Sequence, residues 1–183
     1  MNKASNNNPH PASCDPAELF RTLGASVYGY AMSLLGKAAE AEEVLSETFL
    51  RVCKKKEQYS GRGSIRAWVF SIAHRLCIDV LRDRAKSPEL LSLPEQLPST
   101  DPPPTLLTDK HERQAIIAQA IKRLSDEQKE VIMLKIYGGL TFRQISQALG
   151  IPLGTVLGRM HQGLKRLGRD PNLAKIGRTE NGL

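Results

Sequence analysis

Paired cysteines, long apolar runs, aromatic residues and clustered histidines are all scarce in this 183-residue chain. Its three cysteines, Cys14, Cys53 and Cys77, form no close pair and cannot all be bonded internally. That excludes a disulfide scaffold and predicts a reducing, cytoplasmic location. No apolar run exceeds four residues, as in Val131–Leu134, so no membrane insertion is expected. The first fifteen residues are rich in Asn, Pro and Ser, with no apolar stretch to serve as a secretory signal. His10, His74, His111 and His161 lack metal-ligand spacing to one another or to the cysteines. Gly61-Arg62-Gly63 lacks the preceding strand that a phosphate-binding glycine loop needs. No metal or cofactor is expected, and the chain does not read as an enzyme.

What the chain has is basic charge. Twenty-six Lys and Arg against 19 Asp and Glu leave a net +7, which points to a polyanionic partner. The surplus is uneven. Residues 16–50 carry a net −3, residues 51–86 a net +7, residues 87–110 a net −3 and residues 111–183 a net +6. Six of the eleven prolines fall between Ser87 and Thr108. Such a stretch sustains neither helix nor central strand and reads as an extended linker. The expected organisation is a disordered tail over 1–15, a domain over 16–86, a linker over 87–110, a second domain over 111–170 and a flexible tail over 171–183.

The first domain reads as helices. Asp15-Pro16-Ala17-Glu18 offers an N-cap, a proline at the first helical position and a capping-box carboxylate. Leu19, Leu23, Val27, Tyr30 and Leu34 follow at helical spacing, and Gly36 ends the helix. A second amphipathic stretch runs from about Ala39 to Cys53, with Val44, Leu45, Thr48, Phe49 and Val52 on one face. Glu40, Glu43 and Glu47 share another face, which read alone is a solvated stripe. Lys54, Lys55, Lys56, Tyr59 and Arg62 then lie in a loop marked by Ser60, Gly61 and Gly63. Ser64 caps a long helix carrying Ile65, Val69, Ile72, Leu76 and Val80. Cations beside an aromatic ring suit single-stranded nucleic acid, where lysines neutralise phosphate and a ring stacks on a base. Trp68, within the helix pattern, reads as a core residue. Tyr59 suits packing and stacking equally.

The second domain carries a sharper signal. Ser125-Asp126-Glu127-Gln128 and Thr141-Phe142-Arg143-Gln144 are both capping boxes. Gly138-Gly139 ends the first helix, and Gly150-Ile151-Pro152 turns the second into a third that runs to about Gly168. This is the layout of a helix-turn-helix. At 100° per residue, Val156, Met160, Gly163 and Leu167 share a narrow arc, which Leu157 and Leu164 widen. Thr155, Arg159, Gln162, Lys165 and Arg166 lie opposite. Arg and Gln read guanine and adenine edges by paired hydrogen bonds, while Thr155 at the helix start suits a phosphate.

The order of these parts resembles the extracytoplasmic-function (ECF) sigma factors of bacterial RNA polymerase. Ala41-Glu42-Glu43-Val44-Leu45-Ser46-Glu47-Thr48-Phe49-Leu50-Arg51-Val52 is similar to the family's polymerase-binding segment. Gly61–Val69, with Ile72-Ala73 and Ile78–Arg82, is similar to its −10-reading and promoter-melting segment. Leu124–Val131, Leu140–Ser146 and Leu149–Val156 are similar to its −35-reading domain. Ser46, His74-Arg75 and Leu157-Gly158 depart from a common glutamine, Arg-Asn and Lys-Ser, the last removing one cation.

The resemblance implies an all-α fold of two small helical domains joined by a Pro-rich acidic linker, the second with a helix-turn-helix. It implies that Glu40, Glu43, Glu47, Phe49 and Arg51 dock on the clamp helices of the polymerase β′ subunit, with the β flap as a further contact. Lys54, Lys55, Lys56, Tyr59, Arg62, Arg66, Arg75 and Arg82 are then the −10 and single-strand set. Arg143, Thr155, Arg159, Gln162, Lys165 and Arg166 are the −35 set. Promoter DNA and core polymerase are the implied partners, and an anti-sigma factor is a further one the family admits. A linker of about 22 residues reaches roughly 70 Å when extended, against the roughly 50–55 Å between promoter elements. The acidic tether is expected to lie in a nucleic-acid channel, mimicking RNA charge. The rival reading is a stand-alone helix-turn-helix regulator with an N-terminal sensing or dimerising domain. It accounts for the second domain but not for the basic aromatic loop or the acidic helix before it.

Overall fold

The computed structural model describes residues 15–56, 59, 63–86 and 109–173, with side chains from residue 116 onward in the last span. Residues 1–14, 87–108 and 174–183, most of the tails and linker expected at 1–15, 87–110 and 171–183, lie outside the described residues, as does Arg62. Among the described residues the chain is helical throughout, without a strand.

Helix α1 spans Pro16–Leu35. Asp15 Oδ1 accepts from the Ala17 amide at 3.1 Å, a cap worth about 1 kcal/mol. Gly36, at φ 73°, closes the helix by donating its amide to Met32 O at 2.9 Å. Leu19, Leu23, Val27 and Tyr30 are buried at the expected spacing, and the series ends on Leu35, while Leu34 is only half-buried. Helix α2 spans Ala38–Lys55 and buries Ala41, Val44, Thr48, Phe49 and Val52. It runs past the expected end at Cys53. Lys54 and Lys55 therefore sit on its last turn, where cations favour the C-terminal carbonyls, rather than in a loop. Helix α3 spans Ile65–Lys86, and the Ala67 amide donates to Ser64 Oγ at 3.4 Å. Arg84 near its end donates to both carboxylate oxygens of Glu40 and to Leu35 O, locking α3 to the α1–α2 corner.

The second module opens with α4, Asp109–Lys122, which the sequence reading does not foresee. Ile117, Ala120, Ile121 and Leu124 recur at helical spacing from it onward, a signal that the sequence reading passes over. Asp170 anchors the far end of the module to α4, accepting from Arg123 Nη1 at 2.8 Å. Helices α5 (Asp126–Ile136) and α6 (Phe142–Leu149) both start on reciprocal capping boxes, Ser125 with Gln128 and Thr141 with Gln144. Gly150, at φ 67°, supplies the left-handed turn that a side chain would strain, and Ser146 Oγ donates to Ile151 O at 2.6 Å across it. Helix α7, Leu153–Gly168, then packs Val156, Met160 and Gly163 against α5 and α6. Leu157 and Leu164 do not join that buried arc. They are 44% and 54% exposed, because α5 and α6 cover a stripe too narrow to reach them.

Candidate nucleic-acid and polymerase interfaces

The acidic face of α2 is built by helical spacing alone. Glu43, Glu47 and Leu50 fall at i, i+4 and i+7, on one side of a helix whose other side is core. Glu42, Glu43 and Leu50 are exposed and Glu47 is half-buried, its Oε1 accepting from Arg51 Nε at 2.7 Å. Two expected members of the face are placed otherwise. Glu40 is half-buried and engaged by Arg84, with Lys37 at 3.8 Å. Phe49 is buried edge-on against Phe20, ring centroids 5.0 Å apart. Leu50, which the sequence reading passes over, is 47% exposed among the acids. Its position seven residues after Glu43 was the available signal.

On the basic side, Lys54, Lys55 and Lys56 are exposed where α2 ends. Tyr59 donates from its hydroxyl to Gly63 O at 2.8 Å, and its ring lies 5.4 Å from that of Trp68, tilted by 37°. Both rings are half-buried at the edge of the core, so each keeps a part open to solvent. Arg75 and Arg82 are exposed along α3, with Asp79 3.8 Å from Arg82. Arg66 is half-buried and its Nη1 donates to Gly138 O of the second module at 3.4 Å. Beneath them the Tyr30 hydroxyl and His74 Nδ1 share a buried hydrogen bond of 3.0 Å. Burial, and after it the Arg75 charge, lowers the His74 pKa to about 4, so the imidazole is neutral.

Helix α7 presents Thr155, Gln162, Lys165 and Arg166 to solvent, with Arg143 exposed at the start of α6. Arg159 shares that side but is half-buried, close enough to Glu127 and Glu130 to favour their charged forms. Lys135 lies behind the turn, its Nζ donating to Leu140 O at 3.1 Å and sitting 5.3 Å from the Phe142 ring centroid. Among the described residues no group of His, Cys, Asp and Glu could hold a metal, and no helix is long and apolar enough to cross a membrane.

An acidic helix face, a basic aromatic edge and a basic face on α7 thus stand on two modules in the order the resemblance implies. Comparison with known proteins agrees. The family model of Sigma-70 region 2 matches residues 19–87, and that of Sigma-70, region 4 matches residues 114–167. Together these two regions define a sigma factor of RNA polymerase. The chain is 33% identical over 153 residues to the ECF RNA polymerase sigma factor RpoE of Cereibacter sphaeroides, covering 82% of this chain and 83% of the relative. It is 31% identical over 153 residues to the ECF sigma factor SigE of Mycolicibacterium smegmatis, covering 82% of this chain and 59% of that one. The chain belongs to the ECF sigma factors.

Two solved structures share the fold. The sigma factor RpoE of Bartonella quintana, crystallised with the anti-sigma factor NepR, superposes with a TM-score of 0.64 at 22% identity. That match covers 87% of this chain and 96% of the other. CnrH, solved with the cytosolic domain of CnrY, gives 0.62 at 18% identity, over 84% of each chain.

Proposed function

We propose that this chain is a transcription initiation factor whose two modules divide the work of bringing core RNA polymerase to a promoter. The observation that carries the reading is the pairing of regions 2 and 4 on one chain with the charge polarity of their surfaces. Glu43 and Glu47, with Leu50 and Arg51 beside them, form the face for core polymerase. Glu40 and Phe49 support it from within, through Arg84 and Phe20. Lys54, Lys55, Lys56, Tyr59, Arg66, Arg75 and Arg82 take the separated −10 strand, and Arg62 belongs to the same set. Flipping a base out of the stack costs a few kcal/mol, which phosphate and stacking contacts at this edge offset. Arg143, Thr155, Arg159, Gln162, Lys165 and Arg166 engage the −35 duplex, phosphates positioning the helix and base edges specifying it. The chain itself catalyses nothing, acts where polymerase acts, in the cytoplasm, and is open to control by an anti-sigma protein.

Separation of function is the test. Glu43→Lys with Glu47→Lys should abolish co-purification with core polymerase while leaving duplex contacts by the second module intact. Arg159→Ala with Gln162→Ala should do the reverse, lowering −35-dependent transcription at unchanged polymerase binding. Loss of polymerase binding in the second pair would overturn this division.

A further inference from the structure

Helix α3 loses its hold on the core before it ends. Cys77 is its last buried residue, Val80 and Leu81 are half-buried, and of residues 82–86 only Arg84 is not exposed. The ion pairs of Arg82 with Asp79 and of Lys86 with Asp83 run along α3 itself and fasten the last turn to no other element. Arg84 reaches across. Its Nε donates to Glu40 Oε1 at 3.0 Å and its Nη2 to Glu40 Oε2, a two-pronged grip on a carboxylate in the first turn of α2. The same Nη2 donates at 2.9 Å to Leu35 O, one of the carbonyls that the end of α1 leaves without an intrahelical partner. Both side chains of the pair are 23% exposed, so water competes little for the grip.

Two faces of α3 are thereby kept apart. Arg75 and Arg82, seven residues from each other, project from one side, and both are exposed. Arg84 follows Arg82 by two residues, roughly 200° further round the helix, and points into the α1–α2 corner instead. The buried bond between His74 and Tyr30 holds the middle of α3, and the Arg84 grip holds its end. Helix ends fray where nothing fastens them, and the turn at stake here is the one that carries Arg82. The element that Arg84 grips is α2, which carries Glu43 and Glu47. One side chain therefore refers the strand-facing end of α3 to the polymerase-facing helix. A lysine in its place would keep the charge and lose the planar fork.

We infer that Arg84 is a positioning residue for promoter opening: through its grip on Glu40 and Leu35 it fixes the last turn of α3, so that Arg82 meets the opened strand at a set place relative to α2. The inference rests on the −10 assignment of Arg82 under the proposed function and adds to it a residue that touches no DNA. Glu40 thereby serves the opened strand as well as the polymerase face.

The test uses the full chain with core polymerase on a fragment that yields a run-off transcript, the chain in excess so that weaker docking cannot limit the signal. Permanganate reactivity of unpaired thymines reads opening, co-purification reads polymerase binding, and circular dichroism reads folding. Arg84→Ala should slow opening by roughly fivefold, the size of one coupled contact, at unchanged polymerase binding. Arg84→Lys should recover part of the rate. Added to Arg82→Ala, Arg84→Ala should slow opening little further, because it acts through Arg82. Glu40→Gln cuts the same grip from α2, should repeat the effect, and carries the test if Arg84→Ala loses helicity. Opening at the wild-type rate in a folded variant of either residue overturns the inference. So does loss of helicity in both, which would make the grip a requirement of the fold alone. A defect that only follows polymerase binding overturns it too, as does full additivity with Arg82→Ala, which would make Arg84 act by itself. Failure of the −10 assignment is a separate result, in which Arg82→Ala alone opens as fast as wild type.

Discussion

His74 sits where its charge is least welcome. Burial, then the neighbouring Arg75, lowers its pKa from 6.5 to about 4, and its Nδ1 is tied to the Tyr30 hydroxyl. Because the folded-state value is depressed, protons bind the unfolded chain more tightly. This contribution to stability is complete above pH 6.5 and is lost as pH falls toward 4. Of about 3 kcal/mol in all, about 2 kcal/mol is gone by pH 5. Urea unfolding of wild type and His74→Gln at pH 7 and pH 5 measures it. The wild type should lose about 2 kcal/mol more than the variant, a comparison that cancels every other titrating group. Equal losses would show that His74 is not held neutral. The sequence showed the residue as one of four scattered histidines and as a departure from a family motif, not as a buried one. Its buried hydrogen-bond partner, Tyr30, lies 44 positions away.

At the scale of elements, local chemistry was the legible part. Asp15, Ser125 and Thr141 cap their helices through bonds spanning two or three residues, so their signal is complete in the sequence. What a helix does with its exposed side depends on what lies opposite, and there the reading weakened. Leu157 and Leu164 looked like core but are open to solvent. Phe49 looked available to a partner but is packed on Phe20. The exposure of Leu157 yields a prediction for α7. Leu157→Lys places a cation on its solvent-facing surface and should strengthen duplex binding. If it neutralises one phosphate, the slope of log affinity against log salt should steepen by about 0.9. An unchanged slope in salt titrations would put this part of α7 away from the DNA backbone.

Across the whole molecule, the net charge of +7 resolves into an acidic face on α2, a basic edge where α2 ends and α3 runs, and a basic face on α7. The contact between modules, where Tyr137 of the second packs over Gly29 of the first, was not legible, because nothing near Gly29 announces Tyr137. Glu130 of α5 shows the electrostatic side of that contact. Burial raises its pKa, with Glu127 and Asp126 acting in the same direction and Arg159 opposing. Across the seam its charge adds to the effect of burial in raising Tyr30 of α1 and Cys77 of α3. With a raised value in the folded chain, Glu130 contributes stability that is complete below the ordinary carboxylate pKa and lost as pH rises through its own. At neutral pH, Glu130→Gln should therefore raise the stability of the chain in urea unfolding. A lower stability than wild type would reverse the assigned sign.

The central claim concerns what the modules do together, and run-off transcription on genomic fragments tests it most directly. Core polymerase with this chain should yield discrete transcripts that neither component yields alone, and Glu43→Lys with Glu47→Lys should remove them. No discrete transcript from the pair, together with strong binding of duplex promoter by the chain alone, would contradict the claim and restore the stand-alone regulator.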